Sequence, residues 1–322
     1  MKTQNIYFVD IGGSGGLEPK WRDLQSRLCL YAFEPNKVEC ERLRKGGHPY
    51  QSACYLPYAI ADETSEKKLF VTESPWCCSL LEPNTAWLER FSPTYSKQFK
   101  VTSFAEVQTT TLDEIPELDE VDVDIIKSDS QGLEIPIFLK GKKLLSSAFA
   151  VETENGFQEN YKQESTYAQV DMFMREQGFM LFDMELHRVA REESFDRMSG
   201  HLSQPMWATA LWLKDYIGLD AKGEKVLLTE AKACKVLELA CFFGAVDYAL
   251  ELEPFFRKKG FLVESLKSGV AREVFASSYK DGGMQSFEKA LSLGLRIFPK
   301  RWRQILRAAA SDAAGKNHLL NR

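Results

Sequence analysis

The chain has 322 residues, 44% hydrophobic and 27% charged, the make-up of an ordinary globular protein with room for one large domain plus an appendage or for two modest domains. Its net charge is -5 and neither half is basic, which excludes bulk nucleic-acid binding, since that needs a basic face to displace counterions; only a local basic patch stays open. No window nears the roughly 20 apolar residues of a membrane span, no signal-peptide pattern follows Lys2, and seven cysteines without paired CxxC spacing read as free thiols. The expectation is a soluble cytoplasmic protein.

In chain order, residues 6–11 form a buried strand with glycines directly behind it. Residues 19–27 suit a short helix that tolerates Pro19 in its first turn, and 28–33 form a second strand. Asn36 caps a helix, with Glu39 three residues on in a capping-box arrangement, and Gly46-Gly47 ends it. The third strand is expected at 57–60, and β-branched alternation over 68–72 and 99–111 predicts hairpin or edge strands. Between these two lies a loop-rich stretch with Trp76, Trp87, Phe91 and Tyr95, suited equally to packing and to shielding a cofactor or recognising a substrate ring. Residues 123–127 and 149–151 are buried strands, and 167–177 a helix closed by Gly178 that leads into a strand at 179–182. Residues 208–213 complete an antiparallel-looking pair at the sheet's edge. This alternation predicts an α/β fold, a parallel sheet flanked by helices. Past Asp215 the texture changes: Thr229 caps a helix with Ala233, Val236, Leu237, Ala240 and Phe243 at helical spacing, and helical segments follow near 286–293 and 299–310. The chain is expected to divide into 1–215 and an α-helical appendage over 216–322.

Three segments carry chemistry. The first is Asp10-Ile11-Gly12-Gly13-Ser14-Gly15-Gly16, a glycine-rich turn behind a strand with a carboxylate at the strand's end. Glycines let the backbone approach a ligand closely, and this first turn is where nucleotide-like ligands lie in such sheets. The dinucleotide pattern GxGxxG is not met, because the third glycine position is Glu18 counted from Gly13 and the second is Ser14 counted from Gly12. A turn made only for tight packing has the same look. The second segment is Phe33-Glu34-Pro35-Asn36, whose acidic residue stands about twenty positions past the turn, where a carboxylate accepts hydrogen bonds from ribose hydroxyls. It points to an adenosine-bearing cofactor without choosing one. The third is the run from Asp124 to Glu134, in which a buried strand delivers Lys127 and Asp129 to the end of the sheet where sites form, and Gly132 permits a turn into the next helix.

Taken together the segments resemble the FkbM-type methyltransferases. The matching motifs are Asp10 with Gly12 and Gly16, Phe33-Glu34-Pro35, Thr111-Leu112-Asp113, Lys127-Ser128-Asp129-Ser130-Gln131-Gly132-Leu133-Glu134 and Leu139-Lys140-Gly141. The loop Ser79-Leu80-Leu81-Glu82-Pro83-Asn84 and Val151-Glu152 with Phe173 and Gly178-Phe179 are also similar, so the resemblance covers about residues 5–214. Ser128 and Gln131 depart from the usual residues, and Gln131 cannot act as a base. The resemblance implies a Rossmann-like class I methyltransferase sheet that binds S-adenosylmethionine through Asp10, Gly12, Ser14, Gly16, Glu34, Pro35 and Asp129. It implies methyl transfer to a hydroxyl, on a sugar, a glycan or a secondary metabolite.

A hydroxyl needs a base to take its proton, and Asp129, Glu152 and Glu154 are the candidates, with Lys127 as an orienting or charge-balancing partner. A polar strand end at the surface is an equally simple reading of Glu152-Thr153-Glu154. His187 and His201 stand alone in polar contexts and read as surface or structural residues rather than bases. No metal-ligand cluster is visible, and the adjacent Cys77 and Cys78 read as packing residues, although Asp129 and Glu152 suit magnesium if they converge. Lys300, Arg301, Arg303 and Arg307 beside Trp302 read as a solvated helix face. The tail leaves room for a protein partner or self-association. Two other readings compete: an NAD-dependent oxidoreductase, disfavoured by the missing fingerprint glycine, and a non-catalytic binding module whose tail recruits an enzyme.

Overall fold

A computed structural model describes residues 4–12, 16–191 and 203–262. Ser14, His201, the basic run around Trp302 and the helices expected near 286–293 and 299–310 lie outside the described residues. The chain divides into two compact units, Met1–Lys222 and Gly223–Arg322.

The first unit is built on a seven-stranded sheet. Strands β1 (Ile6–Ile11), β2 (Leu28–Phe33) and β3 (Ser52–Leu56) run parallel, with helix α1 (Lys37–Lys45) crossing from β2 to β3. Strand β4 (Ala59–Ile60) leaves this sheet and joins β5 (Glu66–Thr72) and β6 (Val101–Thr110) in a small second sheet, ordered β4-β6-β5. Short helices α2 (Thr85–Leu88) and α3 (Pro93–Ser96) lie between β5 and β6. The chain then returns to the main sheet through β7 (Ile125–Ser128), helices α4 (Glu134–Leu139) and α5 (Lys142–Ser147), and β8 (Ala150–Gly156). Helix α6 (Tyr167–Glu176) leads to an antiparallel pair, β9 (Phe179–Val189) and β10 (Gln204–Lys214), and α7 (Tyr216–Ala221) follows. The strand order is β3-β2-β1-β7-β8-β10-β9. It reverses direction between β1 and β7, and open α/β sheets bind ligands at such a switch point, outside the carboxyl ends of the strands. The α/β, Rossmann-like reading therefore holds.

The main core joins Val9, Ile11, Phe33, Ile126, Val151 and Trp212 of the sheet to Ile137, Phe138, Leu144, Val170 and Met174 of the covering helices. Each such side chain contributes about 1.5–3 kcal/mol on burial, so strand positions here are fixed by packing and not by the site. The third strand differs from expectation. Pro57 has no N–H to give a ladder, so the strand lies before it, at Ser52–Leu56, and residues 59–60 go to the second sheet. Residues 19–27, expected as a short helix, form a 3₁₀ segment. Of the aromatic stretch, Phe91 and Tyr95 are buried in a second cluster with Leu88, Phe99 and Tyr161, whereas Trp76 stays 61% exposed.

In the second unit, helices α8 (Glu230–Phe242) and α9 (Val246–Lys258) pack against each other. Thr229 Oγ1 caps α8 by accepting from Lys232 N at 3.1 Å. No helix among the described residues is long and apolar enough to cross a membrane.

Candidate active site

Strand register assembles the site. Ala32 of β2, Asp10 of β1, Lys127 of β7 and Glu152 of β8 are successive lateral neighbours. Side chains repeat on one face every second residue, so two positions further on, the same face carries Glu34, Gly12, Asp129 and Glu154. The first row alternates in charge across three strands. The second sets a glycine between two carboxylates. Asp10, Lys127, Asp129, Glu152 and Glu154 are thus brought together, with Glu34 and Pro35 beyond β1 on its other side.

Gly12 has φ +87°, and a Cβ built there would lie 2.3 Å from the Asp129 carbonyl oxygen. The Asp129 N–H donates to the Ile11 carbonyl at 3.0 Å, so the end of β1 is drawn against the end of β7 and leaves no room for a side chain. Gly16 (φ +84°) is different: a Cβ there would meet nothing within 4 Å, so the backbone after the turn borders open space.

Two lysines thread the carboxylates. Lys127 Nζ lies 3.5 Å from Asp10 Oδ1 and 3.9 Å from Glu18 Oε1. Lys20 Nζ lies 2.7 Å from Glu152 Oε1 and 3.2 Å from Glu18 Oε2. Trp21, next to Lys20, is buried edge-on against Phe8 of β1 with ring centroids 4.8 Å apart, which anchors the 3₁₀ segment over the strands. Burial raises the Asp10 and Glu152 pKa values, and Lys127 and Lys20 respectively pull back against it. Burial opposes the charge of Lys127, yet Asp10 and Asp129 more than offset it and its pKa is raised. Burial also raises Asp129, with Lys127 and the Gln131 amide pulling it down. Glu154 is pushed up to about 8 by burial and by Asp129 beside it.

Glu34 is buried, and its Oε1 accepts from the Asn36 N–H at 2.7 Å. Asn36 Oδ1 accepts from Val38 and Glu39 N–H groups, capping α1. The expected capping box is therefore reshaped: Glu34 takes the Asn36 N–H, and the Glu39 carboxylate binds Arg42 at 2.6 Å. In the signature after β7, Glu134 Oε1 accepts from the Ser130 hydroxyl at 2.6 Å and the Ser130 N–H at 3.1 Å, which closes the turn into α4. Gln131 adopts φ +56°, a conformation rare outside glycine, while its amide spans two groups. Its Nε2 donates to Asp129 Oδ1, and its Oε1 accepts from the Tyr161 hydroxyl at 2.8 Å.

Beyond Gln131 opens a cavity of about 170 Å³. Its apolar walls are Trp76, Tyr95, Phe99, Tyr161 and Trp207. Its polar lining includes Glu154, Asn155, Asn160 and Glu164. Tyr95 and Trp207 stack at 5.7 Å, and His187 stacks on Trp207 at 4.7 Å while bonding Thr209 Oγ1 at 3.1 Å. His187 supports the wall and does not line the cavity. Glu164 accepts from the Tyr161 N–H at 2.7 Å, pinning the loop after β8, and burial pushes its pKa up to about 8.

Sequence reasoning missed Glu18, Lys20, Asn155, Asn160, Tyr161, Glu164 and Trp207. Parity offered one usable signal: Lys127 and Asp129 share a strand face, as do Glu152 and Glu154, so whatever lines one lines the other. No spacing rule links Lys20 to Glu152 across the fold. Among the described residues no group of three or more His, Cys, Asp and Glu is placed to hold a metal ion.

The family described as the methyltransferase FkbM domain matches residues 20–181, half of the chain. This chain belongs to that family. The matched segment contains the Glu34 turn, the Lys127–Glu134 signature and Glu152–Glu154, while the glycine turn precedes it. No curated protein matches the chain. Among solved structures, it is similar to a Streptococcus pneumoniae protein described as a candidate tRNA (m1A22) methyltransferase. That likeness has 11% identity, covers 96% of this chain and 91% of the other, and has a TM-score of 0.35. A candidate RNA methyltransferase of Pyrococcus horikoshii shows 10% identity over 66% of this chain and 76% of that one, with a TM-score of 0.28. The fold assignment rests on the strand order itself. The FkbM-family chain is thus a methyltransferase, and S-adenosylmethionine is the donor its family implies.

Proposed function

We propose that this methyltransferase transfers the methyl group of S-adenosylmethionine to a hydroxyl on a sugar, a glycan or a secondary metabolite. The observation that carries the proposal is the second row of the sheet edge, Glu34, Gly12, Asp129 and Glu154, which runs from the nucleotide end of the site to the cavity. Bound S-adenosylmethionine supplies a methyl group on a positively charged sulfur. The residues present fit such a group. Glu34 would accept from ribose hydroxyls, Pro35 fixes the turn that presents it, and Gly12 and Gly16 keep side chains off the backbone on either side of the first turn. Asp10, Glu18, Asp129 and Glu152 outnumber Lys20 and Lys127, so the edge favours a cationic ligand.

Glu154 serves as the base. Glu152 is held by Lys20 at 2.7 Å and positions the 3₁₀ segment, whereas Glu154 lines the cavity and has no ion pair with a described residue. A raised pKa makes it a stronger proton acceptor once ionised, and Lys127 holds negative charge steady on Asp10 and Asp129 as the proton moves. Holding the acceptor oxygen in line with the transferred carbon supplies much of the remaining rate. Seven free thiols support a reducing, cytoplasmic setting. The catalytic domain is proposed as the first unit, and the helical unit after it as a surface for a protein partner or a second copy. Calorimetry with S-adenosylmethionine, its demethylated product and NAD tests the cofactor: heat with the first two is expected, and heat with NAD alone overturns the reading. Label transfer to a panel of sugar and small-metabolite alcohols then tests the acceptor class.

A further inference from the structure

Among the described residues only two that are not glycine have positive φ, Gln131 at +56° and Gln163 at +66°. Gln163 is exposed, whereas Gln131 is half-buried in the turn that follows β7. Glycine takes such a conformation without strain, and Gly132 does so next in the chain, with φ +108°. A second glycine at 131 would give the turn the same path with less strain. What glycine lacks is the amide, and both ends of that amide are engaged. Its Nε2 donates to Asp129 Oδ1, and its Oε1 accepts from the Tyr161 hydroxyl at 2.8 Å. Both sides of this bridge are fixed through the backbone. The Ser79 hydroxyl donates to the Gln131 carbonyl at 2.9 Å, and the Ser165 N–H to the Gly132 carbonyl at 2.8 Å. Around Tyr161, the Asn84 N–H donates to the Asn160 carbonyl at 2.8 Å and the Lys162 N–H to the Glu82 carbonyl at 2.9 Å. The Tyr161 ring lies edge-on to Phe99 at 5.6 Å, and its hydroxyl has a second acceptor in the Cys77 carbonyl at 2.9 Å.

Strained backbone persists where the surrounding structure over-determines it, and it clusters where a group must be held in place for function. Gln131, Tyr161 and Cys77 border the cavity, while the Asp129 backbone lies against Gly12 at the first turn. The glutamine therefore spans from the cavity wall to the carboxylate of the sheet edge. We propose that Gln131 and Tyr161 are positioning residues for methyl transfer: Tyr161 holds the Gln131 amide, the amide holds one oxygen of Asp129, and the strained turn is kept because a full glutamine side chain is what joins the two. This rests on the reading of Asp129 as a cofactor-binding carboxylate and adds the residues that aim it. A carboxylate already held by a donor spares the ligand the cost of ordering that side chain on binding.

The test is calorimetric titration of the full chain with S-adenosylmethionine between pH 5 and 8, with the melting temperature of each variant measured alongside. Gln131→Gly keeps the turn and removes the amide, and Tyr161→Phe keeps the ring and removes the hydroxyl. Each should bind S-adenosylmethionine about tenfold more weakly at pH 7, the scale of one hydrogen bond to a charged group. The double variant should bind no more weakly than the weaker single one, because the two side chains act in series. In Gln131→Gly the relief of positive φ offsets the lost hydrogen bonds, so its melting temperature should stay within about 4 °C of the wild type. The Gln131 amide pulls the Asp129 pKa down, and its loss lets that pKa rise. Lys127, Asp10, Glu18, Glu134 and Glu154 face Asp129 in variant and wild type alike. The fall in affinity on acidification should therefore begin at a higher pH in both variants. Unchanged affinity in either single variant, additive losses in the double, or weaker binding with no shift of the pH profile overturns the inference. If the wild type binds and the variants bind equally well, the cofactor reading stands and only the positioning role falls. If the wild type does not bind S-adenosylmethionine, the cofactor reading falls and the positioning role with it.

Discussion

Lys127→Met removes the one ammonium that the first row places between Asp10 and Glu152. Asp10 is 2% exposed and Lys127 12% by side chain, with 3.5 Å between Nζ and Oδ1. At an effective dielectric near 20, such a pair is worth about 5 kcal/mol of direct attraction. Removing one partner of a buried pair costs about 3–5 kcal/mol, because the other is left charged without compensation. The cost is capped by protonation of Asp10. Its folded pKa is already raised by burial, with Lys127 pulling it down, so losing Lys127 raises it further. A group whose folded pKa exceeds its unfolded value contributes stability below the unfolded value and loses it as pH rises through the folded one. The gap between variant and wild type should therefore be small near pH 5 and approach about 3–5 kcal/mol near pH 8. Urea unfolding followed by tryptophan fluorescence at both pH values measures it. The double variant Asp10→Asn with Lys127→Met should recover more than half of the loss at pH 8, since the orphaned charge is gone. A loss independent of pH, or a double variant as unstable as the two single losses added, refutes the reasoning.

Glu154→Gln should lower kcat for methyl transfer by about 10²–10⁴ while leaving calorimetric binding of S-adenosylmethionine within a few-fold, and an unchanged kcat removes Glu154 as the base. In the wild type, kcat/KM should rise with pH toward a plateau reached at or above about 8, since burial holds Glu154 protonated below that value; a rate that falls over pH 6 to 8 contradicts the assignment. Gly12→Ala should destabilise the fold by about 1–3 kcal/mol through its positive φ alone, more through contact with the Asp129 carbonyl, and should abolish cofactor binding in calorimetry. Burial pushes Glu134 to about 7 and Glu154 and Glu164 to about 8, above the ordinary glutamate value of 4.5. These three groups therefore stabilise the ligand-free fold fully below that ordinary value and progressively less up to about pH 8. The melting temperature of Glu154→Gln should decline less between pH 5 and 8 than that of the wild type.

The legible part of this protein was what local chemistry dictates. Buried apolar runs marked β1, β2 and β7, and the Asp10 turn, the Glu34 turn and the Lys127–Glu134 run marked the edge they form. The Thr229 cap was legible because a hydroxyl before a helix satisfies backbone donors with no help from elsewhere. The third strand was misplaced because Tyr58-Ala59-Ile60 is as apolar as Tyr55-Leu56, and only the ladder requirement at Pro57 separates them. The cavity was not legible at all. Its walls come from residues 76, 95, 99, 161 and 207, which no period or spacing connects, and the hydrogen bond from Tyr161 to Gln131 exists only once β8 and its loop are folded. The Lys20 ion pair with Glu152 likewise spans the segment behind the first turn and the fifth parallel strand.

Gln131 shows why the site's two halves behave as one. A glutamate at this position would set a second negative charge against Asp129, whereas the amide can donate to Asp129 with Nε2 and accept from Tyr161 with Oε1 at the same time. That double duty fixes which way the amide points, and the φ of +56° is a conformation worth about 1–3 kcal/mol that the surrounding contacts must hold. The Ser79 hydroxyl provides one such contact by donating to the Gln131 carbonyl at 2.9 Å. Asp129 is thereby oriented from the cavity side by Tyr161 through Gln131, and from the sheet side by Lys127. A ligand that moves the Tyr161 ring reaches the Asp129 carboxylate through a single side chain. Under the proposed function this links acceptor binding to the geometry of Asp129, as a reaction that depends on placing one oxygen in line with one carbon requires.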